Sequence, residues 1–280
     1  MKRIKSGLVL LTLLAAPFVA TTVKAQGDLL LTPRRIIFDG NKRTQEVNLA
    51  NTGKDTATYL VSVVEIRMLE DGRFEEILQP DANQNFASKY LRFFPRTVKL
   101  GPNEAQSVKI QLTKAGELAA GEYRSHIYFR PLKNAAPLGE EQKPADPKDI
   151  SVKIVPVVGL SIPVIIRVGD YDAGVSISDV ALDTEGEKPT LKMTFNRSGN
   201  MSVYGDVVVD HVTPDGKTSQ VGLIKGIAVY TPNERRQLLM QLDKKISGSN
   251  GKLHITYRPQ PEDKVSKLKP VFAETDHKLN

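Results

Sequence analysis

Residues 150–169 read ISVKIVPVVGLSIPVIIRVG, a stretch in which only two of twenty residues are charged. From Val152 onwards every second residue is apolar, as in a β-strand with one buried face. The positions between them are also largely apolar and include Val155, Val157 and Ile165. Because a strand with one solvated face needs only one apolar set, we expect both faces of this segment to be covered.

The N-terminus has the pattern of a secretory signal peptide over residues 1–25. A basic start with Lys2, Arg3 and Lys5 precedes an apolar run and a small-residue cleavage site at Ala25. The apolar run is short for a membrane-spanning helix. We therefore expect an exported chain that is cleaved near Ala25 and is not inserted into a membrane.

The charge and the cysteine content of the chain limit what it can bind and how it is stabilised. The formal charge is +7, but four of the basic residues lie in the leader, which leaves +3 on the mature chain. That balance, without a basic run interleaved with aromatic residues, argues against nucleic-acid binding. The chain has no cysteine, so core packing alone must hold it together.

Most of the mature chain alternates in hydrophobicity between turn signals, which predicts an all-β protein. The first series of strands predicts a β-sandwich over residues 26–169, in which 151–168 is the last strand. A polar, proline-bearing loop at 132–149 precedes that strand. A second all-β domain is expected at 170–259, followed by a disordered charged tail at 260–280.

Residue patterns typical of catalysis are missing from the sequence. The four histidines lie far apart, and none has the spacing of a metal-binding motif. No nucleophile elbow or phosphate-binding loop is found either. We therefore expect no enzymatic activity, no cofactor and no metal.

The apolar strand itself has two interpretations. It is either a core strand covered by the protein's own sheets, or an edge strand that lends one face to another protein. Pro156 and Pro163 favour an edge, because proline donates no ladder hydrogen bond, and Gly159 weakens a central strand. An exposed apolar edge promotes aggregation, so a partner is expected to cover it.

Four patches in the first domain then suggest a family. Their order and spacing over about residues 28–259 resemble the PapD-like periplasmic pilus-assembly chaperones, and patches in the second domain extend the resemblance. The first-domain patches are TPRRIIFDG at 32–40, VNLAN at 47–51, the run from Phe94-Pro95 to QSVKI at 106–110, and 123–131.

The resemblance implies two immunoglobulin-like β-sandwich domains in tandem and a chaperone that completes a pilus or fimbrial subunit with its own strand. It also implies delivery to an outer-membrane usher. Independently of the resemblance, the exposed apolar edge favours a homodimer that caps it. The other face of the strand, with Val155 and Val157, is expected to pack on the chaperone's own core. The donor residues would be Val152, Ile154, Pro156, Val158 and Leu160.

In this family an arginine of the first strand and a lysine of the donor strand bind the client's C-terminal carboxylate. The arginine corresponds to Arg35, whereas Arg34 is expected to be solvated. The lysine position holds Pro163, and Arg167 corresponds to a structural arginine. The departure at Pro163 keeps open a second interpretation, an exported structural, adhesion or scaffold protein built on the same sandwich.

Overall fold

The computed structural model describes residues 29–39, 42–132, 159–243, 246, 250–260 and 270–279. These residues are mostly strands, and helix is limited to two short 3-10 turns at Ser88–Tyr90 and Ala115–Glu117. No helix in these ranges has the length and apolar character needed to cross a membrane. The signal peptide expected at 1–25 lies outside them, as does most of the loop expected at 132–149.

The first domain is a sandwich of two sheets. One sheet has the strand order β1-β3-β9-β7, and the other has the order β2-β11-β10-β4-β8. A separate hairpin, β5-β6, closes at Gly72, where φ is +85°. The strands are β1 Leu29–Thr32, β2 Ile36–Phe38, β3 Thr44–Asn51, β4 Ala57–Val64, β5 Ile66–Met68, β6 Phe74–Glu76, β7 Leu91–Phe94, β8 Thr97–Leu100, β9 Ala105–Leu112, β10 Gly121–Leu132 and β11 Leu160–Val168.

Alternation along the strands builds the core of this first sandwich. On β3, Val47 and Leu49 are fully buried, whereas the neighbouring Glu46 and Asn48 are exposed. This is the period of two that the pleat imposes on one buried face. The same rule acts on β9, whereas β10 is buried on both faces over residues 122–127. The inward side chains of both strands meet those of β3 between the sheets.

The second domain is also a sandwich, with sheet orders β12-β13-β16 and β15-β14-β17-β18. Its core includes Phe195 and Tyr257, whose ring centroids are 4.8 Å apart. The two sandwiches confirm the prediction of an all-β protein with two immunoglobulin-like domains in tandem. The strands are β12 Ala173–Asp183, β13 Thr190–Gly199, β14 Val203–Val212, β15 Thr218–Val229, β16 Arg235–Gln241, β17 Gly251–Pro259 and β18 Ala273–Leu279.

The tail 260–280, predicted to be disordered, contains strand β18, so that prediction is wrong over 273–279. Strand β18 pairs antiparallel with β17 along its whole length. Its charged residues alternate because they share the exposed face, where Asp276 contacts Lys252 at 2.7 Å and His254 at 2.8 Å. Leu279, at the end of the strand, packs against the second core.

Candidate functional site: an open strand edge beside the domain contact

Strand β11 has an edge that is only partly covered. On one side β10 pairs with it from Val168 back to Leu160. On the other side β2 pairs with it in parallel, but only from Val164 to Ile166. Among the described residues no strand lies beside Leu160–Pro163 on that side. The backbone there is positioned to accept one more strand.

Leu160 is the one predicted donor residue that the structure describes. It is the first residue of β11, and 39% of its surface is exposed. Ser161 beside it is also exposed, and burial begins at Ile162. The other four predicted donor residues lie outside the described residues, and these are Val152, Ile154, Pro156 and Val158.

The two faces of β11 contact different parts of the molecule. Ile162, Val164 and Ile166 lie in the core of the first sandwich. Ile165, on the other face, is fully buried at the contact between the two domains. The prediction that Val155 and Val157 pack on the chain's own core falls outside the described residues. Both faces are apolar because one lines the first core and the other contacts the second domain.

Arg35 lies immediately before β2 and is half-buried. Strand β2 is parallel to β11, with Ile36 opposite Val164. Arg35 precedes Ile36, and Pro163 precedes Val164. The arginine therefore lies beside Pro163, the position where the resemblance implies a lysine. Arg35 therefore lies where the open edge of β11 ends.

A tyrosine of the second domain lies against Arg35. The guanidinium carbon is 4.4 Å from the centroid of the Tyr204 ring on β14. At this distance a guanidinium is attracted to the face of an aromatic ring. Burial raises the pKa of the Tyr204 hydroxyl, and the charge of Arg35 opposes that shift. Sequence reasoning missed Tyr204, since nothing in its neighbourhood along the chain indicates a contact across domains.

A buried ion pair joins the two domains close to this edge. Arg167 Nε donates to Glu122 Oε2 at 3.0 Å, and the two side chains are 1% and 2% exposed. Ser202, just before β14 of the second domain, donates its N–H to the same carboxylate at 3.0 Å, and its carbonyl oxygen accepts from Arg167 Nη2 at 3.1 Å. The hydroxyls of Ser202 and Thr231 also donate to Glu122. The charge of Arg167 within the mostly apolar strand β11 was the available sequence signal for this network.

Beside the network, aromatic and basic side chains of both domains meet. Arg124 on β10 lies 4.5 Å from the ring centroid of Tyr230, and His126 packs edge-on to the same ring at 6.2 Å. Phe74 of the β5-β6 hairpin covers His126 at 5.9 Å. Burial, reinforced by the charge of Arg124, lowers the pKa of His126 to about 3. The imidazole is therefore neutral at pH 7 in the folded protein.

Within the described ranges, no three histidine or acidic side chains gather in an arrangement that holds a metal ion. The donor types that bind transition metals most tightly are scarce, because the chain has four histidines and no cysteine. The described residues at the open edge offer backbone hydrogen bonding, apolar burial and the guanidinium of Arg35.

No family model matches the chain, and no curated protein matches it. Solved structures do resemble it. The class 5 fimbriae chaperone CfaA is 10% identical, with a TM-score of 0.43 over 90% of this chain and 99% of that chain. The CsuC-CsuE complex, a chaperone with a tip adhesion subunit from the Csu pili of Acinetobacter baumannii, is 12% identical, with a TM-score of 0.42 over 82% of this chain and 93% of that one.

A third structure, the Salmonella enterica SafA pilin in complex with the SafB chaperone, is 11% identical, with a TM-score of 0.38 over 90% of this chain and 96% of that one. At identities of 10–12% these likenesses concern the fold alone. The solved structures that the fold resembles are thus chaperones of fimbriae and pili, the family that the sequence motifs also resemble.

Proposed function

We propose that this chain is a periplasmic chaperone that binds pilus or fimbrial subunits by donor-strand complementation and delivers them for assembly. The open edge of β11 at Leu160–Pro163 is the observation that carries the proposal. Adding a strand to such an edge satisfies backbone groups on both partners. An incomplete subunit sandwich gains the strand that it lacks.

Side chains on β11 indicate which face meets the client. Ile162, Val164 and Ile166 form a row in the first core, and Leu160 continues that row to the surface. In the proposal, the row continues beyond the sandwich through the preceding even-numbered residues, such as Val158 and Ile154. A client core placed there would bury them, and each such side chain contributes about 1.5–3 kcal/mol. Several together outweigh any single polar contact.

Arg35 sets the direction of the added strand. A client strand beside Leu160–Pro163 lies in line with β2 and ends near Arg35. If it runs parallel to β11, its C-terminal carboxylate meets the guanidinium, whereas an antiparallel strand would bring its N-terminal amine there. A charge-assisted hydrogen bond to the carboxylate is worth about 1.5–3 kcal/mol, so the parallel arrangement is favoured.

Other parts of the proposal follow from the sequence. Cleavage near Ala25 would release a mature chain beginning at Gln26 into the periplasm. The client complex would then pass to an outer-membrane usher. In the absence of client, a homodimer that covers the open edge would protect it from aggregation.

The test is native mass spectrometry of the tagged protein, purified from the periplasm of its own host. We expect a one-to-one complex with a smaller exported protein and an N-terminus at Gln26. Leu160→Asp should abolish the complex, since it places a charge in the apolar row. Ser161→Asp is the matched control, because it adds the same charge at an exposed neighbouring position and should be tolerated better.

A second pair of variants tests the anchor. Arg35→Ala should weaken the complex, whereas Arg34→Ala, which removes an equal charge from the exposed neighbour, should leave it nearly unchanged. If both arginine variants behave alike, the anchor role of Arg35 is wrong. A monomer or homodimer without client, even when pilus genes are expressed, would favour the exported structural or scaffold protein instead.

A further inference from the structure

The proposed carboxylate anchor is built from both domains. Arg35 belongs to the first domain, but the ring against which its guanidinium lies, Tyr204, belongs to the second. A long arginine side chain loses considerable rotamer freedom when it is held for binding. A residue that holds it beforehand therefore improves binding without touching the client.

The Tyr204 ring is itself held in place. It packs against the interdomain cluster that contains Ile165, Ala228 and Tyr230. Its hydroxyl lies so close to Gly226 that a Cβ at that glycine would come within 2.7 Å of it. With φ at +77°, Gly226 has a backbone conformation that side chains rarely adopt, which keeps this approach open.

Stacking and carboxylate binding use different parts of a guanidinium. The face of the group lies on an aromatic ring, whereas carboxylates are bound through the N–H groups at its edge. Arg35 can therefore keep its contact with Tyr204 while it binds an anion. Its three guanidinium nitrogens are buried in this structure, so a client carboxylate must displace what covers them. The ring limits the guanidinium to orientations in one plane.

We propose that Tyr204 is a positioning residue that holds Arg35 in the orientation that binds the client carboxylate. The inference rests on the proposed function. It makes the anchor dependent on the domain contact, because Tyr204 reaches Arg35 only while the domains are joined. The second domain thus contributes to client affinity by positioning Arg35, without a direct contact between Tyr204 and the client.

The first readout needs no client. In the mature chain, the Arg35 Nε–Hε resonance, assigned by its loss in Arg35→Ala, should show an aromatic ring-current shift. Tyr204→Phe keeps a ring and should preserve the shift. Tyr204→Leu removes the ring and should abolish it. Unchanged resonances in Tyr204→Leu would overturn the inference.

The second readout uses a fluorescein-labelled twelve-residue peptide that alternates valine with serine and lysine, made as the free acid and as the amide. The wild-type protein should prefer the acid by about tenfold or more. Tyr204→Phe should keep that preference. Tyr204→Leu should reduce it about fivefold, or about 1 kcal/mol, while affinity for the amide stays the same.

The outcomes distinguish the positioning role of Tyr204 from the proposed chaperone function. If the wild-type protein prefers the acid and Tyr204→Leu prefers it equally, the positioning role is wrong and the proposed function stands. If Tyr204→Phe loses the preference as fully as Tyr204→Leu, the hydroxyl rather than the ring acts, which also overturns the inference. If the wild-type protein binds acid and amide alike while the resonance still depends on Tyr204, the anchor itself fails, and the positioning role fails with it.

Discussion

Acidification should destabilise this protein through His126 more than through its other histidines. The imidazole is 3% exposed and lies between Phe74 and Tyr230, with Arg124 two residues away on the same strand. Burial first, and then the charge of Arg124, lower the pKa of His126 to about 3. In the unfolded chain a histidine has a pKa of about 6.5.

The direction in which stability changes with pH follows from proton binding in the two states. Below pH 6.5 the unfolded chain protonates His126, whereas the folded protein keeps it neutral down to about pH 3. The unfolded state therefore binds more protons, and stability falls as the pH falls between these two values. At pH 5 the difference of about 1.5 pH units corresponds to about 2 kcal/mol of lost stability from this one group.

The assay is urea unfolding followed by circular dichroism at pH 7 and pH 5. His126→Phe keeps an aromatic ring between Phe74 and Tyr230 but cannot be protonated. The wild-type protein should lose about 2 kcal/mol more than this variant between the two pH values. His277→Gln is the matched control, since it removes a histidine far from the domain contact and should behave like the wild type. Equal losses in His126→Phe and the wild type would refute the reasoning.

Two further substitutions test the packing around the site. Glu122→Ala should cost about 3–5 kcal/mol in urea unfolding, because it leaves Arg167 buried without its carboxylate; a cost under about 1 kcal/mol would show that the pair is not needed. Gly205→Ala should cost about 1–3 kcal/mol or more, since its Cβ would lie 2.2 Å from the Arg258 carbonyl oxygen. Gly186→Ala, whose nearest neighbour is 3.6 Å away, is the control, and equal melting temperatures of the two variants would contradict the clash.

Sequence reasoning succeeded where short-range patterns decide the structure. Alternating hydrophobicity between turn signals predicted strands, and the structure shows the expected single buried face at Val47 and Leu49 of β3. It failed at 273–279, where charged residues alternate without a strong apolar set. That segment forms a strand because β17 offers a partner edge and opposite charges. A pattern within one segment contains no information about its partner.

The candidate site, too, was predictable from the sequence only in part. The apolar character of both faces of β11 and the prolines within it indicated an unusual strand, and the motif around Arg35 indicated a possible anchor. Neither showed that Ile165 faces the second domain or that Tyr204 lies against Arg35. Contacts between residues of different domains depend on how the two sandwiches meet.

The sequence by itself determined an all-β chain of two sandwiches, because strand periodicity and turn chemistry act over a few neighbouring residues. Only the tertiary structure decided that Glu122 and Arg167 join the domains and that the pairing of β2 with β11 begins at Val164, next to Arg35. Those features depend on which strands become neighbours in the sheets and on how the domains contact each other. Both are set by burial and hydrogen bonding over the whole molecule rather than by any one segment.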